Sequence, residues 1–397
     1  MSGSKIDMNS TVKSTMRNAS VKEKMYGVLL FLSFSTTSMY FFDSGGAQIV
    51  HLLLFLIFSL FITLNRFRID IISGCLLFIF SYSLLNESLV AISSGFYEDI
   101  IFPIYCLFNV LVYISISRLS NQNLLPYMVY GHLLSIIIAI ISVVISGASL
   151  VASHDVSYRA IGLFNNPNQL GYYSVCSFSM IYVFYRLNKL KLLAAVFFSF
   201  LCILLTFYSL SKAAILSIIP IALFALVYNK KIFFISSLLV ILSIPFIANN
   251  LAKNPSVYAD IKVVTRIVNM GNENDSGIAS RGYYAFMDGS SLEIIFGQGY
   301  RAIRNIVGHE VHSSFASLLN YYGILPFISF ILLNLYWYYF LNKNFGFRGS
   351  VIIFTPPFLY GLTHNGLRFS IFWMLIAVSM AIYLNRTCSK KCVNSTV

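Results

Sequence analysis

From residue 25 to residue 386 the chain is a succession of apolar runs separated by short polar stretches. The runs fall at 25–42, 47–64, 69–86, 100–117, 124–146, 169–186, 192–208, 212–228, 232–248, 315–341, 349–366 and 367–386. Most are about 17 to 22 residues long, the length of helix that crosses a hydrocarbon core. The pattern predicts an all-α, polytopic membrane protein of about twelve spans. Pro356-Pro357 and Thr363-His-Asn365 interrupt the last pair of runs.

Two polar stretches stand out against this background. The longer, 249–314, exceeds a plain connector. The expected order is a basic tail at 1–24, nine spans over 25–248, a large loop at 249–314, three spans over 315–386 and a tail at 387–397. Within the loop, Pro255 to Met270 places Val257, Ile261, Val264 and Ile267 on one helical face. Asn272 to Gly277 reads as a turn, and Arg281 to Phe296 as a helix ending at Gly297-Gln-Gly299. The second polar stretch runs from His154 to Gly171.

Charge orients the spans. With a cytoplasmic N-terminus and alternating spans, the inner segments hold 18 of the 27 Lys and Arg residues, five of them in the N-terminal tail. The short outer loops hold mainly Asp43, Glu87, Glu98, Asp99 and Asp155. This is the positive-inside pattern, with both termini cytoplasmic and the large loop outside. Nine cations then lie on the outer side against the rule: Arg159, Lys212, Lys253, Lys262, Arg266, Arg281, Arg301, Arg304 and Arg368.

Composition narrows the classes. Charged residues make up 10% of the chain and mean hydropathy is +0.77, far from the roughly 25% charge of a soluble domain. The net charge of +13 does not imply nucleic acid, because most of it sits in short loops between spans. No small-residue cleavage site follows the basic N-terminal tail, so no cleaved signal peptide is expected. The six cysteines lie in spans or in the C-terminal tail. They imply neither a disulfide framework nor a metal site.

The outer face carries the candidate chemistry. Asn166-Pro167-Asn168 reads as a helix N-cap with Pro at the first helical position. Ser211 could cap the span beginning at Lys212, and Ser313 or Ser314 the span after His312. Helix N-termini beside cations form anion sites. Arg159 and Arg281 are candidate clamps for a diphosphate, since a guanidinium forks onto phosphate oxygens. Arg301 and Arg304 share a face if their stretch is helical. His312 is a candidate base for a hydroxyl. His309 competes with it, and Glu310 between them could orient either ring. His364 and Arg368 could line the same cleft. His51 and His132 lie within spans and read as packing residues. There is no His-Glu-x-x-His and no dense carboxylate pair, so neither a metal nor another cofactor is expected.

Four of these segments resemble, in order, the motifs of the O-antigen polymerase and O-antigen ligase superfamily. Arg159-Ala-Ile-Gly-Leu-Phe-Asn-Asn-Pro-Asn-Gln-Leu-Gly171 resembles the motif before a central span. Ser209-Leu-Ser-Lys-Ala-Ala214 resembles a span start in which Arg usually stands where this chain has Lys212. Ser280-Arg281-Gly and Gly297-Gln-Gly-Tyr300 resemble parts of the large outer loop. His312-Ser-Ser-Phe-Ala-Ser-Leu-Leu-Asn-Tyr-Tyr-Gly323 resembles the histidine motif opening the next span. The likeness runs from about residue 155 to 385.

The resemblance implies a metal-independent glycosyltransferase at the outer face of a bacterial inner membrane, with a glycan on undecaprenyl diphosphate as donor. Arg159 and Arg281 would hold the diphosphate and His312 would deprotonate the acceptor hydroxyl. Assembly partners such as a chain-length regulator or a flippase would be expected. Polymerase and ligase share these motifs; the arginine-to-glycine spacings are closer to polymerases. A transporter or flippase of lipid-linked sugars is the alternative from another class. It should carry ionisable residues near mid-span, which are nearly absent here.

Overall fold

The computed structural model describes residues 21–42, 46–64, 69–121, 123–146, 160–228 and 281–393. Arg159, the expected span at 232–248 and the expected amphipathic helix from Pro255 to Met270 lie outside them. Among the described residues all regular structure is helical. The helices are α1 (Val21–Ser35), α2 (Ile49–Leu64), α3 (Ile71–Ser94), α4 (Ile101–Leu119), α5 (Leu125–Ile145), α6 (Pro167–Arg186), α7 (Leu192–Ser209), α8 (Lys212–Tyr228), α9 (Ser291–Phe296), α10 (Tyr300–Val307), α11 (Ser314–Tyr322), α12 (Ile324–Thr363) and α13 (Ser370–Val393).

Among the described residues five helices are long and apolar enough to cross a membrane: Ile71–Ser94, Tyr97–Leu119, Leu125–Ile145, Leu192–Ser209 and Ile324–Thr363. Three shorter apolar helices accompany them: Ile49–Leu64, Lys212–Phe224 and Ser370–Ala381. These are the helices of a membrane protein. The expected single span at 315–341 is broken at Gly323, where α11 ends and α12 begins. α12 bends at Gly346, whose φ of 73° is not helical.

Local chemistry sets the boundaries. Asp70 Oδ1 accepts the Ser73 N–H at 2.8 Å to cap α3, and Gly95, at φ 78°, stops it with a bond to the Ala91 carbonyl. Asn166 Oδ1 caps α6 by accepting the Gln169 N–H at 2.9 Å, with Pro167 at the first position. Ser313 caps α11. The expected cap at Ser211 does not form among the described residues: its Oγ is buried without a hydrogen-bond partner there.

α6 is the enclosed helix. Fifteen of its twenty residues are buried, against α7, α8, α12 and α13. Its polar side chains face other helices. Ser174 shares a hydrogen bond with Thr206 at 2.8 Å, and Tyr173 one with Ser135 at 2.7 Å. Gly171 lets α8 approach: a Cβ there would stand 2.9 Å from Ser211 Cβ and 3.2 Å from Ala214 Cβ. Two of the motif segments read from the sequence therefore meet at the start of α6 and the start of α8.

The ends of the helices sort into two sets. At one end Lys22 Nζ donates to the Leu64 carbonyl, Arg118 pairs with Asp70 at 3.2 Å and Asn123 donates to Glu23. At the other end Asn165 Nδ2 donates to the Phe42 carbonyl and Arg301 pairs with Glu98 and Asp99. The helical reading of Arg281 to Phe296 resolves into a 3₁₀ turn at Ala285–Asp288 and then α9. Gly297-Gln-Gly299 is a backbone clasp: Gln298 N–H donates to the Asn320 carbonyl at 2.9 Å and Gly299 N–H to the Tyr321 carbonyl at 3.1 Å. A Cβ on Gly323 would stand 2.1 Å from the Ile295 carbonyl oxygen, at φ 83° and ψ −171°, a region open to glycine alone.

Gly323→Ala is expected to cost well over about 2 kcal/mol, from backbone strain plus the clash. Gly308→Ala, also at positive φ but with nothing within 4 Å of its Cβ, is expected to cost about 1 kcal/mol. Thermal unfolding of the purified variants in detergent checks the order; equal losses would contradict the clasp.

Candidate functional site

The segment before α11 is held on both sides. Val311 is buried and its N–H donates to the Tyr321 hydroxyl at 2.9 Å. Ser313 Oγ accepts the Phe315 and Ala316 N–H groups and donates to the Tyr283 hydroxyl at 2.9 Å. Tyr283 in turn donates to the Leu362 carbonyl at 2.5 Å. Burial pushes the Tyr283 hydroxyl above its ordinary pKa, opposed by the Ser313 bond and by Arg281. Ser314 Oγ donates to the His364 carbonyl at 3.1 Å and accepts the Gly366 N–H at 2.8 Å. Residues 311–314 are thus fastened to the turn between α12 and α13.

Between those fixed points the His312 side chain faces outward. Its ring stacks on His309, with centroids 4.8 Å apart and planes 13° apart. On the other side His364 lies 6.3 Å away at 25°. His364 rests on Tyr360 at 4.7 Å, and Tyr360 on Tyr172 at 4.7 Å. The Tyr360 hydroxyl donates to the Asn168 carbonyl at 2.7 Å. One column of rings therefore runs from the three histidines to the first turn of α6. His309 and His312, three residues apart in the chain, and His364, expected to line the same cleft, are neighbours in space.

The cations divide by partner. Arg281 Nη1 donates to the Thr363 carbonyl at 3.2 Å, beside His364. Arg368 pairs with Glu310 at 2.7 Å, and its guanidinium lies 5.6 Å from the Phe102 ring centroid. The Glu310 carboxylate is thus engaged by arginine, while His309 Nδ1 sits 2.8 Å from the Glu310 carbonyl oxygen. Arg301 pairs with Asp99 at 2.7 Å and with Glu98, and stacks 3.6 Å above Phe96. The Asp99 and Glu98 bonds raise its pKa further above the ordinary arginine value. Arg304, one turn along α10, lines a cavity instead. Lys212 opens α8 and is half-buried.

That cavity, of about 460 Å³, lies beside the histidine column. Arg368 and Phe369 form part of its wall, and Phe369 also stacks on Tyr172 at 5.4 Å. Residues from distant segments complete it, among them Gln48, His51, Tyr105, Gln169 and Tyr300. Glu87 anchors the adjoining helix: only 1% exposed, it accepts the Tyr300 N–H at 3.2 Å, at the positive end of α10. His51, expected as a packing residue, lines the cavity. His132 is packed among Phe34, Tyr173 and Phe184. No local sequence signal marks His51, whose ring neighbours Tyr105 and Phe108 come from α4. Tyr283 and Ser314 were likewise unmarked as fasteners of the histidine segment.

Chemically, the arrangement offers imidazoles at an exposed surface, two arginines tied to either end of their column, and the capped starts of α6 and α11. Among the described residues no group of three His, Cys, Asp or Glu side chains is placed to share a metal ion. No protein-family model matches the chain, and no curated protein matches it.

The pairing of Arg301 predicts a structural effect. Arg301→Ala leaves Asp99, 8% exposed, as a buried carboxylate without its partner. It is expected to lower the melting temperature, and Asp99→Asn in the same chain to restore part of the loss. Thermal unfolding of the single and double variants checks this; no recovery in the double variant would contradict it.

Proposed function

We propose that this protein transfers a glycan from a polyprenyl diphosphate, taken to be undecaprenyl diphosphate, to the hydroxyl of another lipid-linked repeat unit. The reaction is that of a surface-polysaccharide polymerase working at the outer face of a bacterial inner membrane. The proposed topology has about twelve spans and both termini in the cytoplasm. The observation that carries the reading is the histidine column with Arg281 bonded beside one end and Arg368 beside the other. The motif resemblance supplies the reaction class.

His312 is the exposed ring at the centre of the column and takes the proton from the attacking hydroxyl. The hydroxyl oxygen attacks the anomeric carbon as the bond from that carbon to the diphosphate oxygen breaks. Negative charge grows on the leaving diphosphate. Arg281 and Lys212, with Arg159 outside the described residues, meet that charge with guanidinium and ammonium donors. The N-termini of α6 and α11 add their dipoles. Arg301, committed to Asp99 and Glu98, holds the loop rather than the diphosphate.

The test is a gel of surface glycan from a strain lacking the gene and from the same strain complemented. Cores bearing a single repeat unit, with the ladder restored on complementation, support the polymerase. Bare cores with long glycan accumulating on the lipid carrier would assign the ligase reaction to the same site. An unchanged ladder, or glycan trapped at the inner face, would overturn glycosyl transfer. His312→Ala is expected to lower ladder formation by at least about 100-fold and Arg281→Ala by about 100-fold, with membrane insertion intact. Full activity in either variant would remove that residue from the mechanism.

A further inference from the structure

We propose that the cavity beside the histidine column is the subsite for an uncharged sugar ring of the lipid-linked glycan, with His51 as the donor that positions it. The proposal rests on the glycosyl-transfer reading above. Among the described residues the cavity wall holds two carboxylates, Glu98 and Asp99, and two arginines, Arg304 and Arg368, so their formal charges cancel. The carboxylates are further engaged by Arg301, and Arg368 by Glu310. A diphosphate needs a surplus of cations, which the described residues of this wall lack. A neutral ring does not.

The rest of the wall fits a sugar. Its volume of about 460 Å³ falls within the roughly 300–1,000 Å³ of small-ligand pockets. Tyr105 and Tyr300, both half-buried in the wall, offer apolar surface to the C–H face of a pyranose, and polar groups interleave with them for its hydroxyls.

His51 is the fixed donor. Its Nδ1 accepts the Gln48 backbone N–H at 3.0 Å. A backbone N–H can only donate, so the neutral ring carries its proton on Nε2. Tyr105 and Phe108 hold the ring edge-on, at 5.7 and 5.6 Å. With Nδ1 held by the backbone, Nε2–H is the ring donor left for a sugar oxygen in the cavity that His51 lines. The cavity also adjoins the chemistry: Arg368, in its wall, pairs with Glu310, the residue between His309 and Val311.

The experiment uses the full chain in lipid nanodiscs and reads thermal shifts. The probes are neutral methyl glycosides of hexoses, deoxyhexoses and N-acetylhexosamines and, separately, inorganic diphosphate. At least one glycoside is expected to raise the melting temperature. That shift is expected to be lost in His51→Phe and in Tyr105→Ala and kept in His51→Gln, while the diphosphate shift persists in all three. Tyr105→Ala is read alone if His51→Phe does not fold. No glycoside shift in the unsubstituted protein, or one that survives both disruptive variants, overturns the subsite. A glycoside shift without any diphosphate shift supports the subsite and counts against the diphosphate part of the proposed reaction. The reverse result sinks the subsite and leaves that reaction standing.

Discussion

The hydroxyls of Ser313 and Ser314 are the pins on which the candidate site depends. One caps α11 and reaches Tyr283, and through it the Leu362 carbonyl. The other spans the His364 carbonyl and the Gly366 N–H. Without them the histidine before α11 and the histidine after α12 would belong to independent chain segments. With them, His312 and His364 face each other across a fixed gap, and the α12–α13 turn presents Arg368 to Glu310. Net hydrogen bonds of this kind are worth about 1 kcal/mol each. Their combined effect is to set geometry rather than to hold the whole protein together.

A second constraint lies beneath the site. Polar side chains inside a membrane protein need partners within the protein. α6 meets this by running through the interior, where Ser174 and Tyr173 bond Thr206 and Ser135. Its first turn emerges at the end of the bundle that carries the histidine column, and Tyr360 ties the two together through the Asn168 carbonyl. The close approach at Gly171 brings the start of α8, and with it Lys212, to the same end. Diphosphate recognition and proton transfer are thus proposed on elements that packing already gathers.

Much of the helical layout was legible from hydropathy, because apolar runs of spanning length have few other readings. Lys22, Asp70 and Arg118 gather at one end of the bundle. The break at Gly323 was not legible, since it exists to admit the backbone of Ile295 and Gly297 from a segment distant in sequence. Local caps at Asn166 and Ser313 could be read because their partners lie within three residues. The cap expected at Ser211 rested on the same rule and did not form among the described residues. The partners of Arg301 could not be read: Asp99 lies 202 positions away. The same reason hides His51, which has no charged neighbour in sequence while its cavity is assembled from distant segments.

The proposed reaction makes a glycosidic bond. The most direct measurement supplies purified full-length protein in nanodiscs with a labelled, synthetic repeat unit on undecaprenyl diphosphate, and follows chain length and free lipid diphosphate together. Glycosyl transfer predicts products longer than one repeat unit and release of one undecaprenyl diphosphate for each bond made. Labelled substrate that crosses the bilayer of a proteoliposome unchanged in length, with no diphosphate lipid released, would contradict it.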